Sequence, residues 1–268
     1  MCKGVMKLLS NVNLENALGK NIGIYPLNIS HIEGASIDLL ASRYAFSVKK
    51  KESVVKGERI EIDPGDTVIV FTNESISLDK HYSGACYNRV SFSMQGILHS
   101  SSPLKPDYTG RLSVSLYNAS PRQVDLEVGK PVVVLMINKL NRPATIHRGK
   151  GNGSRIDLLQ QMGITITEEE IRTDITKYDD RNSLMEVMKE SDEYKRIKDR
   201  NNKKRIREGV IFVAVLLAII MVMARSWISH DLSAYSFFIP IVQAVFAGIV
   251  SGLVLLWVES IIKQKGSK

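Results

Sequence analysis

From Phe237 to Val258 the chain runs 22 residues without a charge, and this stretch limits most sharply what the chain can fold into. As a helix at about 1.5 Å per residue it reaches roughly 33 Å, enough to cover a hydrocarbon layer of about 30 Å. A second uncharged run, Gly209 to Ala224, precedes it, with Arg225 at its end and Trp227-Ile228 beyond. Neither run has a polar face, which a pair of helices on the surface of a core would need. The expectation is a two-helix transmembrane hairpin over 209–262, with spans at about 209–228 and 237–258. Ala244, Gly248 and Gly252 recur every fourth residue of the second span, a spacing that lets helix backbones approach.

The flanks give an orientation. Lys195 to Arg207 holds eight basic residues against one acidic one, and Lys263, Lys265 and Lys268 follow the second run. The connection from Ser226 to Ser236 has no Lys or Arg. Taken alone, the basic run would also suit a nucleic-acid patch. Its place directly before an apolar run assigns it instead to anionic lipid at the cytoplasmic face of an inner or plasma membrane, with both termini cytoplasmic and no nucleic-acid partner. The first twenty residues interrupt every apolar run with Lys3, Lys7, Asn11, Asn13 or Glu15 and so lack the core of a signal peptide. Cys2 and Cys86 form no metal spacing and no disulfide framework, as expected in a reducing compartment.

The net charge of +8 sits mostly in residues 1–150, where 19 basic face 13 acidic side chains; residues 151–208 balance at 13 and 13. The basic excess suits a polyanionic ligand, and equally an ordinary mildly basic surface. From Ile22 to about Leu140 the pattern is one of short strands between turns. Strands are expected at Ile37 to Leu39, Ala45 to Val48, Arg59 to Ile62, Thr67 to Phe71, Arg111 to Tyr117, Gln123 to Leu126 and Pro131 to Ile137. Asp63-Pro64-Gly65-Asp66 and Gly129-Lys130 read as turns. Many short strands at regular spacing predict a closed or sandwiched all-β domain over 1–147, with no helical period between Ile22 and Leu140.

A Gly-rich arm and linker follows over 148–163. His147 to Arg155 holds three glycines with Arg148, Lys150 and Arg155. Such a segment fits a phosphate cradle and fits a flexible linker as well. A short helix from Ile156 to Met162 closes at Gly163. Thr167-Glu168-Glu169-Glu170 then opens a charged helical stalk over 164–208 with a capping-box pattern. Ile171, Ile175, Tyr178 and Met185 fall on one face, while Asn182 and Lys189 interrupt a heptad series and Asp179-Asp180 is a helix break. The pattern predicts a loosely coiled stalk.

Residues 34–140 resemble the dCTP deaminase and dUTPase superfamily in the order of several motifs. Gly34-Ala35-Ser36-Ile37-Asp38-Leu39 resembles its first motif, and Asp63-Pro64-Gly65 the turn before its next long strand. Arg89-Val90-Ser91-Phe92 with Gly96-Ile97 is similar to its phosphate motif. Leu104 to Gly110, followed by Tyr117-Asn118, is similar to the hairpin that holds the base, and Gly129 to Leu135 to the last core motif. The resemblance implies a dUTPase-like β-clip or barrel, a homotrimer with sites at subunit interfaces, and a pyrimidine deoxynucleotide bound as its Mg2+ triphosphate. It places Arg89, Ser91, Lys105, Asp107, Tyr108, Arg148, Lys150 and Ser154 at the nucleotide.

The same resemblance exposes replacements at the reacting positions. The deaminase Glu that handles the protons of the attacking water falls on Ser115, whose hydroxyl cannot do that work near neutral pH. The dUTPase Asp that activates water falls on Lys105, which reverses the charge there. The second phosphate-motif Arg falls on Met94. His99 is either a proton shuttle or a polar surface residue, and Asp107 is a displaced base if the hairpin register shifts by two. The implied function is a membrane-anchored, catalysis-deficient sensor of pyrimidine deoxynucleotides with a membrane-acting output of the kind used in bacterial antiphage defence. The alternatives are an active membrane-tethered dCTP deaminase or dUTPase and a trimeric membrane scaffold.

Overall fold

The computed structural model describes residues 7–100, 102–145, 153–164, 166, 169–228 and 248. In chain order its strands and helices are β1 (Lys7–Leu8), α1 (Asn11–Ala17), β2 (Ile22–Tyr25), β3 (Ile32–Glu33), β4 (Ser36–Ser47), β5 (Val55–Lys56), β6 (Arg59–Ile62), β7 (Thr67–Leu78) and β8 (Tyr82–Asn88). They continue with α2 (Val90–Met94), β9 (Ile97–His99), β10 (Ser102–Leu104), β11 (Thr109–Asn118), β12 (Val124–Glu127), β13 (Pro131–Lys139), α3 (Ile156–Gln161), α4 (Glu169–Thr176), α5 (Arg181–Glu190) and α6 (Asp192–Ile228). The chain divides into two compact units, Met1–Ile197 and Lys198–Lys268.

The first unit is β-rich, and its strand ladders are antiparallel. Ten strands share one sheet in the path β10-β8-β13-β4-β7-β11-β9, with β1 on β13, β2 on β7 and β3 on β4; β12-β6-β5 form a second sheet. Strand β4 is the corner. Its first half, Ile37 to Leu40, pairs with β13, and its second half, Ala41 to Ser47, pairs with β7 across a register shift between Ala41 and Ala45. An irregularity of this kind bends a strand and lets it change partners. The sequence reading takes β4 as two strands, one ending at Leu39 and one from Ala45 to Val48; the backbone continues through the bend as one strand.

The period of two along β7 explains why the unit has two cores. Val68 and Val70 face the main core with Ile22, Ile24, Leu39, Ile60, Ile62, Ile97, Leu116 and Leu135. Ile69 and Phe71 face the other way and pack with Phe46, Leu159, Ile164, Ile166 and Ile175. The rings of Phe46 and Phe71 meet edge to face at 6.4 Å. Helices α3 and α4 therefore cover what would otherwise be an exposed apolar sheet face.

The apolar face expected on a loose stalk packs on the β domain instead. Ile175, Leu184, Met185, Met188 and Ile197 are buried, and α5 lies on β2. Gly23 makes that approach possible, since a Cβ there would lie 2.5 Å from Leu184 Cδ2. Ile24 N–H donates to Met188 Sδ at 3.2 Å, and Arg181 Nη1 donates to Ser77 Oγ at 3.2 Å. The break at Asp179-Asp180 is present, and Asp180 caps α5 by accepting from Ser183 N–H at 2.8 Å. Between Ile22 and Leu140, where the sequence shows no helical period, α2 is a five-residue helix too short to show one.

The second unit contains the continuation of α6 to Ile228. Among the described residues no helix is long and apolar enough to cross a membrane. The expected first span falls within α6; the expected second span, 237–258, lies outside the described residues except for Gly248.

Candidate functional site

Arg89 leaves the end of β8 as the N-cap residue of α2, and its carbonyl accepts from Phe92 N–H at 3.0 Å and Ser93 N–H at 3.1 Å. The turn points its half-buried guanidinium at the first motif: Nη1 lies 2.8 Å from Asp38 Oδ1, on β4. Two stretches separated by some fifty residues, which the sequence reading treats as separate motifs, thus meet as one ion pair. The pair orients one end of the guanidinium, and a guanidinium has further N–H donors for an anion. Asn88 braces the turn by donating from Nδ2 to Ser93 Oγ and to Ile97 O, both at 2.8 Å. Ser91 is exposed on the first turn of α2. Met94, at its end, is 84% exposed, and Val90 is 76% exposed.

The hairpin side of the site divides into an exposed and an enclosed part. Lys105 and Asp107 are exposed, and Asp107 takes φ +63°, a left-handed conformation that Asp tolerates better than most residues. Tyr108 is buried, its hydroxyl donates to Arg111 O at 2.6 Å, and burial pushes its pKa well up. Its hydroxyl is therefore turned into the fold, away from any ligand on the hairpin surface. Ser115 lies on β11 beside β9, where its backbone carbonyl is 3.0 Å from His99 Nδ1. Asn118 is fully buried and structural, donating to Ile62 O and Arg122 O at 2.8 Å each.

The expected phosphate arm is only partly described: Arg148 and Lys150 lie outside the described residues. Ser154 is 1% exposed; its Oγ accepts from Arg111 N–H at 3.0 Å and lies 2.6 Å from Asp179 Oδ1 and 2.9 Å from Ile175 O, between which its single proton is shared. With these bonds Ser154 joins β11 to the end of α4. Arg155 is paired through Nε and Nη2 with both oxygens of Asp157, at 2.9 Å each. The close approach of the arm requires glycine: Gly110 has φ +141°, and a Cβ on it would lie 2.8 Å from the backbone carbon of Gly153.

A second charged cluster escapes the motif reading. Arg111, 8% exposed, has Nη2 3.5 Å from Asp174 Oδ2 and stacks over the Tyr44 ring at 5.6 Å; Tyr44 donates to Asp174 Oδ2 at 2.7 Å. Glu74, 5% exposed, accepts from Leu40 N–H at 2.9 Å. Desolvation raises its pKa to about 7, against the opposing pull of the Leu40 N–H and the Arg111 charge. Asp179 is likewise raised by burial. The available signal is Arg111 at the start of an expected strand; Glu74 lies beyond the expected strand Thr67 to Phe71 and joins the cluster because β7 continues to Leu78.

Antiparallel strands bent at β4, with an arginine-led turn held by a carboxylate beside an exposed Lys-Asp hairpin, define an all-β domain with an anion-competent turn. Residues 8–140 match the family described as dCTP deaminase-like. The chain is 32% identical over 136 residues to a dCTP deaminase of Pyrococcus furiosus, covering 50% of this chain and 87% of that one. It is also 32% identical over 124 residues to a dCTP deaminase of Pyrococcus horikoshii, covering 46% and 80%. A crystal structure of 2'-deoxycytidine 5'-triphosphate deaminase from Agrobacterium tumefaciens aligns with TM-score 0.43 and 15% identity, over 50% of this chain and 49% of that one. The chain belongs to the dCTP deaminase-like family.

Proposed function

We propose that the β domain binds a pyrimidine deoxynucleoside triphosphate through the Arg89 turn and turns it over slowly or not at all. The observation that supports this is Arg89, the first arginine of the phosphate motif, held by Asp38 at 2.8 Å; the resemblance adds that the family base positions fall on Lys105 and Ser115, and the motif's second arginine on Met94. A Lys and an unactivated hydroxyl supply no general base near neutral pH. Ser91, Asp107, Tyr108, Arg148, Lys150 and Ser154 complete the nucleotide set by family position; the buried hydroxyls of Tyr108 and Ser154 would contribute by shaping the fold. Among the described residues there is no group of three or more His, Cys, Asp or Glu placed to hold a metal. In this proposal Mg2+ arrives with the triphosphate, on the phosphate oxygens.

The reading extends to assembly and output. Val90, Met94, Leu98 and Tyr117 are large apolar side chains left exposed around the Arg89 turn, which supports a homotrimer with this surface between subunits. A contiguous path supports signalling: Arg89 holds Asp38, Leu40 two residues on is held by Glu74, and Glu74 feels Arg111, which contacts Asp174 on α4. Ligand affects that path only if it binds two states of the assembly unequally. The uncharged runs after residue 208, the basic flanks, and exposed Ile211, Phe212, Val213 and Val215 on α6 support a membrane tether with both termini cytoplasmic. Together they fit a nucleotide sensor with a membrane output, as in antiphage defence.

Isothermal titration of the full-length protein with dCTP and dUTP in Mg2+ tests the binding step. Saturable binding that Arg89→Ala weakens by roughly tenfold or more is expected for a charge-assisted phosphate contact. Heat-silent titrations with both nucleotides, or an unaffected Arg89→Ala protein, would sink the proposal and leave the scaffold reading.

A further inference from the structure

One end of the β domain collects bases that no carboxylate answers. The turn between β7 and β8 meets the start of β2 and the end of β13 there: Asp79 N–H donates to Asn21 O at 3.0 Å, and Leu140 N–H to His81 O and Ala144 N–H to Lys80 O at 2.8 Å each. Lys139 lies opposite Tyr82 on one side and opposite Lys7 of β1 on the other. Lys7, Lys20, Lys80, Lys139 and Arg142 are thus gathered from four separate stretches of chain, and all five are exposed. None of them forms an ion pair among the described residues, whereas Lys50, Lys56 and Arg155 are paired with Asp63, Glu61 and Asp157. Asp79 and Asp107 also lie at this end, since Asp107 N–H points at Asp79 O at 3.5 Å. Asp79 is already committed, accepting from Asn21 Nδ2 at 2.5 Å and from His81 N–H at 2.7 Å. The bases are left as an unbalanced positive field, which repels itself and attracts an anionic partner.

The class of partner follows from where the chain goes next. The first unit ends at this surface: a Cβ on Gly19 would collide with the Tyr194 hydroxyl of α6, and Ile197, the last residue of the unit, is buried in the main core. In sequence, Lys198, Arg200, Lys203, Lys204, Arg205 and Arg207 follow, and then the uncharged run from Gly209. Four of the five gathered bases are lysines, flexible point charges that suit a diffuse layer of headgroup phosphates. A single-stranded nucleic acid would also need aromatic platforms, and on the β domain the exposed Tyr87 and Tyr117 lie toward the other ends of β8 and β11. We infer that this surface docks on an anionic phospholipid bilayer, so that the β domain rests on the membrane instead of standing off it. The inference rests on the tether reading above and goes beyond it by giving the β domain a lipid-contacting face of its own. Arg89 follows the far end of the seven-residue strand β8, about 20 Å away, so a docked domain keeps its turn in water.

The test is footprinting of the full-length protein in lipid nanodiscs of phosphatidylcholine alone or mixed with phosphatidylglycerol, using a water-soluble lysine-acylating reagent read out by peptide mass spectrometry. Lys80 and Lys139 are expected to react about threefold or more slowly in the anionic discs, the scale of a basic side chain held at an anionic surface. Salt at about 1 M should abolish the difference by cutting the Debye length to about 3 Å. Lys130, just before the opposite end of β13, should react alike in both discs. Lys80→Glu combined with Lys139→Glu changes two exposed side chains, and is expected to remove the protection of Lys20 while the protein stays in the discs. Equal labelling of Lys80 and Lys139 in the two discs, or protection of Lys20 that survives the double substitution, would overturn the docking and leave the tether intact. Protection of these lysines by a single-stranded oligonucleotide, with none from anionic discs, would overturn it in favour of a nucleic-acid partner. Failure of the full chain to enter either disc would overturn the tether reading and this inference with it.

Discussion

Arg111 is a buried cation near three carboxylates, Glu74, Asp174 and Asp179, and burial pushes Glu74 and Asp179 toward their neutral forms against the pull of its charge. Desolvation lifts Glu74 to about 7, above its ordinary 4.5, and also raises Asp179. The consequence for stability has a definite sign. Below about pH 4.5 Glu74 is protonated in both folded and unfolded chains and costs nothing. Between about 4.5 and 7 the unfolded chain ionises first, so the folded state loses up to about 3 kcal/mol as the pH rises through that window. Glu74→Gln keeps an oxygen for the Leu40 N–H and removes the titration. Urea unfolding at pH 5 and pH 8 is expected to show the variant gaining on the wild-type protein by about 2–3 kcal/mol at the higher pH; parallel pH profiles for the two would refute this picture of the cluster.

At the scale of elements, β6 and β13 are where hydrophobic alternation and turn residues place them, because both depend on local pattern. What the pattern misses is set by distant partners. The bend in β4 depends on β13 and β7 taking successive halves of one strand. The docking of α5 depends on the missing side chain of Gly23, which looks like any turn glycine in the sequence. In the site, Arg89 and Asp38 are readable as motifs, whereas their contact and the His99–Ser115 pairing require the folded register. Gly110 shows the same limit: its need for glycine comes from Gly153 and Asp179, 43 and 69 positions away. Gly110→Ala is expected to cost more than about 2 kcal/mol, combining a strained positive φ with a backbone clash. It should also speed proteolysis between residues 146 and 180, while a protein as stable and as resistant as wild type would argue against that docking.

For the molecule as a whole, family membership covers residues 8–140, and the remaining half of the chain carries the features that distinguish it. The proposed tether predicts that the full chain sediments with membranes, resists carbonate extraction and needs detergent for release, and that a chain ending at residue 208 does not. Recovery of the full chain in the aqueous fraction would remove the membrane from the account. The central claim is that phosphate recognition survives where the reacting groups have been replaced, and it is tested most directly by chromatography of dCTP and dUTP held with stoichiometric full-length protein and Mg2+. The account predicts that both nucleotides are recovered unchanged over many minutes under conditions in which they are bound. Multiple-turnover release of dUTP from dCTP, or of dUMP from either, would contradict it and show that a base other than Lys105 or Ser115 drives the reaction.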